Sequence, residues 1–98
     1  MVFPGRPSHP VPQILVLGRD TCEDTLQSRA FLTRQHIPFQ YLSWEQDSDI
    51  EAQIRSHNDG DVVTPTILIG DPDNPTAVLV EPTDDELDRA IVEAGGGI

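Results

Sequence analysis

The chain has 98 residues, 37% of them apolar and 5% aromatic, which bounds it to one domain with a modest core. Seventeen acids stand against six arginines and no lysine, a net charge of −11; phosphate backbones and anionic lipid surfaces are bound by cations, so no nucleic acid and no membrane is expected as a partner. No apolar run approaches a membrane span, and the single cysteine, Cys22, excludes an intramolecular disulfide.

Residues 1–12 read as an extended, proline-rich tail ahead of one domain spanning 13–95. The start shows neither a basic nor an apolar leader region, and with one cysteine a reducing cytoplasm is the expected compartment. Ile14-Leu15-Val16-Leu17, stopped by Gly18, suits a strand buried on both faces. Cys22 to about His36 predicts a helix, with Leu26, Ala30 and Ile37 on its apolar stripe, widened by Phe31 and Leu32. Thr21 with Asp24 is its expected capping pair, and Pro38 stops it. Phe39 to Leu42 predicts a second strand.

Ser48 and Glu51 form a capping box for a second helix carrying Ile50 and Ile54 and ending near His57, before the turn Asn58-Asp59-Gly60. Thr66 to Ile69 is a third strand, opened by Pro65 and closed by Gly70. The turn Asp71–Pro75 leads to a fourth, Ala77 to Val80, in an antiparallel hairpin. Thr83 and Glu86 form another box, followed by Leu87, Ala90, Ile91 and Ala94, with Gly95 as the stop and Gly96-Gly97 as a frayed tail. Crossover helices after the first two strands predict parallel pairing there. The expectation is an α/β domain, a mixed four-stranded sheet with three helices.

Cys22 falls between a buried strand and the first turn of a helix. Helix N-termini present unpaired N–H groups and partial positive charge, which favour a thiolate, and a thiolate is what attacks a disulfide. Taken alone, such a cysteine is more often a small buried hydrophobe. His9, His36 and His57 show no zinc spacing, no serine sits on a nucleophile elbow, and Trp44 reads as edge packing. No resident cofactor or metal is expected.

The order of elements, Cys22 at the first strand–helix junction, and Thr64-Pro65 opening the third strand together resemble the glutaredoxins, over about Gln13 to Ala94. Asn58-Asp59-Gly60-Asp61-Val62-Val63-Thr64-Pro65 looks like the loop before that family's cis-proline. Leu79-Val80-Glu81-Pro82-Thr83-Asp84-Asp85-Glu86-Leu87 is similar to its approach to the last helix. The nearest variety is the actinobacterial glutaredoxin-like proteins, including mycoredoxins. The resemblance implies a thioredoxin fold, with Cys22 attacking a mixed disulfide and Arg19, Thr64, Pro65, Thr83 and Asp84 holding a low-molecular-weight thiol. Arg19 matches a position where the family usually carries lysine.

The family's active segment reads Cys-Pro-Tyr-Cys or Cys-Gly-Phe-Ser, whereas this chain has Cys22-Glu23-Asp24-Thr25. Thr25 stands where a resolving cysteine would be, so only a monothiol route is open. The Gly-Phe pair of the iron–sulfur-binding type is absent. The resemblance therefore implies a monomeric, cytoplasmic monothiol oxidoreductase that uses glutathione or an analogous small thiol as co-substrate and protein mixed disulfides as substrates. The rival is a non-catalytic binding or adaptor module of the same fold. Glu23, Asp24 and the loss of the aromatic before Cys22 favour that rival.

Overall fold

The computed structural model describes residues 12–95. The expected tail, Pro12 apart, and Gly96-Gly97 lie outside the described residues. The elements are β1 (Ile14–Gly18), α1 (Glu23–Arg34), β2 (Gln40–Ser43), α2 (Ser48–Ser56), β3 (Thr66–Asp71), β4 (Asn74–Val80) and α3 (Asp84–Ala94). The strands form one mixed sheet in the order β2-β1-β3-β4. Element order and α/β class agree with the sequence. No helix among the described residues is long and apolar enough to cross a membrane.

Strand side chains alternate between faces, so the wholly buried β1 serves two cores at once. Ile14 and Val16 join Ile67 and Ile69 under Phe31 and Leu32 of α1 and Leu87 and Ile91 of α3. Leu15 and Leu17 join Leu68 under Ile50 and Ile54 of α2. The result is three layers, with two helices on one face and one on the other. Ala77 and Leu79 of β4 pack toward α1 and α3, whereas Val78 and Val80 on its other face are exposed.

One topological expectation fails. β2 is parallel to β1, but β3 runs antiparallel to β1, with Leu17 opposite Thr66 and Ile14 opposite Ile69. After the short α2, residues 57–65 lead back to the end of the sheet where β1 finishes. β3 therefore starts beside the β1–α1 junction. A parallel β3 would have started at the Ile14 end.

Two caps also differ from expectation. α1 is capped by Cys22 itself, extended at φ −83° and ψ 123° with no side-chain cap bond, so Thr21 and Asp24 form no capping pair. For α2, Asp47 displaces Ser48: its Oδ1 accepts from the Asp49 amide at 2.9 Å, and a carboxylate is the stronger acceptor there. Glu51 instead pairs with Arg55 one turn on, at 3.0 Å. The α3 box is present as read: Thr83 Oγ1 accepts from the Glu86 amide at 3.1 Å, and Glu86 Oε1 accepts from the Thr83 amide at 2.8 Å.

The buried face of α1 is Thr25, Ser28, Phe31 and Leu32, while Leu26 is 47% exposed and Ala30 is also exposed. Small Thr25 faces inward because the helix start lies against β1. A Cβ at Gly18 would stand 2.5 Å from Thr25 Cγ2. The absence of a Cβ at Gly18 is what leaves room for Thr25 against β1, with Leu26 on the outer side.

Candidate functional site

Gly18 ends β1, and a turn closed by the Cys22 amide on the Arg19 carbonyl (3.1 Å) delivers Cys22 to the start of α1. Because β3 is antiparallel, its opening residues arrive at the same place. The Thr64–Pro65 peptide is cis, as expected. The partly exposed Cys22 Sγ lies 3.6 Å from the Thr64 carbonyl oxygen, a contact that the thiol makes as donor and the thiolate gives up.

Burial pushes the Cys22 thiol up. Hydrogen bonds from the Thr64 and Thr25 side chains and from the Thr25 and Asp24 amides outweigh it, so the thiol is held below its ordinary value. The donors belong to the helix start and to the facing loop, and they stabilise the anion as a capping site does. Thr25 is fully buried, and its Oγ1 also accepts from the Arg19 amide at 3.4 Å. The residue in the resolving-cysteine position is therefore a packed hydrogen-bonding group. Thr25→Val keeps the shape and removes the donor, so the alkylation-versus-pH midpoint of Cys22 is expected to rise. An unchanged midpoint would show that Thr25 does not act on the sulfur.

Thr83 and Asp84 reach this region by a different route. β4 ends with Val80 opposite Thr66, and the Glu81 amide donates to the Pro65 carbonyl at 3.0 Å, tying the segment before α3 to the loop facing Cys22. Pro65 itself is fully buried, so of the two residues that open β3 only the half-buried Thr64 is within reach of a ligand. The Thr83 hydroxyl and amide are engaged within their own capping box. Asp84 Oδ2 lies 3.4 Å from Arg34, and its Oδ1 accepts from Gln27 at 3.4 Å, so this carboxylate is held against α1. No bond joins Thr83 or Asp84 to Cys22. Gln27 and Arg34 have no distinguishing local pattern in the sequence; only the packing of α1 beside α3 brings them to Asp84.

The Arg19 side chain turns toward the end of β2. Its guanidinium lies 5.4 Å from the centroid of the Trp44 ring, and its Nε is 3.6 Å from Glu45 Oε2. The other Glu45 oxygen accepts from the Asp20 amide at 2.8 Å. Trp44 packs against the α2-side core as expected of it, but with a cation beside it that the sequence did not suggest. Glu45 makes the two contacts a bound carboxylate would make here, one guanidinium and one backbone N–H. Sequence reading missed it, because its partners Asp20 and Arg19 are 25 and 26 residues away.

Among the described residues no group of histidine, cysteine and acidic side chains could hold a metal ion. No protein-family model matches this chain, and no curated protein matches it.

Proposed function

We propose that the protein is a monothiol thiol–disulfide oxidoreductase with a thioredoxin-like, glutaredoxin-type fold, acting in the cytoplasm on mixed disulfides between proteins and a small thiol. The observation that carries the reading is the Cys22 sulfur: partly exposed, at a helix N-terminus, facing Thr64, with its thiol lowered by four surrounding donors. In the first step the Cys22 thiolate attacks the small-thiol sulfur of the mixed disulfide. That S–S bond breaks, the substrate protein leaves as its thiolate, and Cys22 becomes disulfide-linked to the small thiol. In the second, a small-thiol thiolate attacks that linkage, forming the small-molecule disulfide and regenerating the Cys22 thiolate. Thr25 takes no part in either exchange.

Arg19, Thr64, Thr83 and Asp84 remain the proposed small-thiol contacts, Thr83 through its exposed surface rather than its engaged hydroxyl; Pro65 is fully buried and stands behind Thr64. The test is reduction of a protein–glutathione mixed disulfide by the purified chain, repeated with other small thiols. Activity with none of them would overturn the reading.

Arg19 carries a second expectation. Its pairing with Glu45 is half exposed, and surface pairs contribute roughly 0.2–1 kcal/mol. Arg19→Ala is expected to weaken affinity for a carboxylate-bearing thiol while leaving the sulfur chemistry in place. Glu45→Gln is expected to strengthen that affinity by a small factor, because it removes the competing carboxylate. Titration of each variant with glutathione reads both; identical affinities in all three forms would remove Arg19 from the site. The non-catalytic binding module is favoured by one observation, the exposed acids Glu23 and Asp24 in the first turn beside the sulfur.

A further inference from the structure

A second constellation lies at the outer edge of β2, which pairs only with β1, and Cys22 does not line it. It is a depression of about 540 Å³, within the size range of small-molecule sites. The guanidinium of Arg29, on α1, lies 3.9 Å from the centroid of the Tyr41 ring. The Tyr41 hydroxyl donates to Asp20 Oδ1 at 2.6 Å, and Gln46 Nε2 donates to Asp20 Oδ2 at 3.4 Å. Tyr41 therefore acts as a ruler. A cation sits over its face and an anchored carboxylate sits at its hydroxyl tip, about one phenol apart. Asp47 lines the same space; its Oδ1 caps α2 and its second oxygen is uncommitted.

Among the described arginines Arg29 stands apart, since Arg89, which also makes no ion pair, is exposed. Arg19, Arg34 and Arg55 each lie within 3.6 Å of a carboxylate. Arg29 is half-buried without an ion-pair partner, and its Nε–H is shielded from water with no acceptor. Stacked on Tyr41 and lining the depression, this guanidinium has charge and donor capacity that no carboxylate of the described residues takes up. A simple anion would meet Asp20 and Asp47 as well as Arg29, and a simple cation would meet Arg29. A ligand carrying both charges satisfies all three groups.

We infer that this depression binds a compact zwitterion, the ammonium and carboxylate of a free α-amino acid. The carboxylate meets Arg29, and the ammonium lies between Asp20 and Asp47. Leu42 and Ile50, which also line the space, provide contact for a short apolar side chain. This site does not rest on the reactivity of Cys22.

The test follows the Arg29 Nε–Hε resonance of the ¹⁵N-labelled full chain by NMR as L-alanine, acetate or methylammonium is added. L-Alanine is expected to give saturable shifts, with each singly charged probe at least about tenfold weaker, the loss of one charge-assisted contact. Asp20→Asn is expected to weaken alanine binding by about the same factor. Tyr41→Phe keeps the ring under Arg29 and releases Asp20, and is expected to weaken it too; this variant serves if Asp20→Asn does not fold. No saturable shift with alanine, acetate binding as tightly as alanine, or full affinity in the folded Asp20 and Tyr41 variants would each overturn the inference.

Discussion

Cys22→Ser is expected to abolish reduction of protein–small-thiol mixed disulfides. The exchange needs a sulfur anion, and the surroundings of Cys22 supply donors for that anion but no base that would activate a hydroxyl. No other cysteine exists in the chain to take over. The fold should tolerate the change, since the side chain is only partly buried and makes no cap bond within its own helix. The measurement is turnover of several mixed disulfides, with more than one small thiol, beside a thermal melt of both forms. Activity retained by a folded Cys22→Ser protein would rule out the sulfur as nucleophile. A parent inactive with every thiol would shift the reading to the binding module.

Gly18→Ala is expected to damage stability and site together. The new methyl would lie 2.5 Å from Thr25 Cγ2 and 2.8 Å from Thr25 Oγ1. Thr25 is fully buried and β-branched, so it has little rotamer freedom with which to move aside. The first turn of α1 must shift instead, at a cost of about 1–3 kcal/mol, the usual range for overpacking. That shift carries the Thr25 donors away from the sulfur, so the Cys22 alkylation midpoint should rise as the melting temperature falls. Thr25→Ala in the same chain removes both clashing atoms and should recover most of the lost stability, but not the lowered midpoint. A single variant that melts and titrates like the parent would show that the Gly18–Thr25 contact positions nothing.

The two expectations share a cause. Gly18, Cys22 and Thr25 lie within eight residues of sequence, yet what makes the sulfur chemically distinct comes from both ends of the chain's contact range. The helix-start amides are local. Thr64, 42 residues away, is not. By charge alone, the carboxylates of Glu23 and Asp24 beside the sulfur oppose a thiolate. In the structure the Asp24 amide is itself one of the groups that favours it. Backbone direction at a helix start, which the residue type does not reveal, decides that sign.

By itself the sequence determined the order and type of every element, the Thr83–Glu86 box, and the placement of Cys22 between a buried strand and a helix. These depend on apolar periodicity and on bonds spanning three or four residues, which any local window contains. Only the resemblance to a known family, not the chain's own patterning, put Thr64-Pro65 near Cys22, and the crossover rule predicted a β3 pointing the wrong way for the two to meet. Only the tertiary structure decided that direction. It depends on where residues 57–65 return to the sheet so that Ile67, Leu68 and Ile69 can each be buried between helix layers, a requirement of the assembled core rather than of the segment. The same holds for Arg19 with Glu45, Asp84 with Arg34, and Arg29 over Tyr41. Charged side chains at loop and helix surfaces carry no periodic signal, and their partners are set by which elements the sheet order makes neighbours.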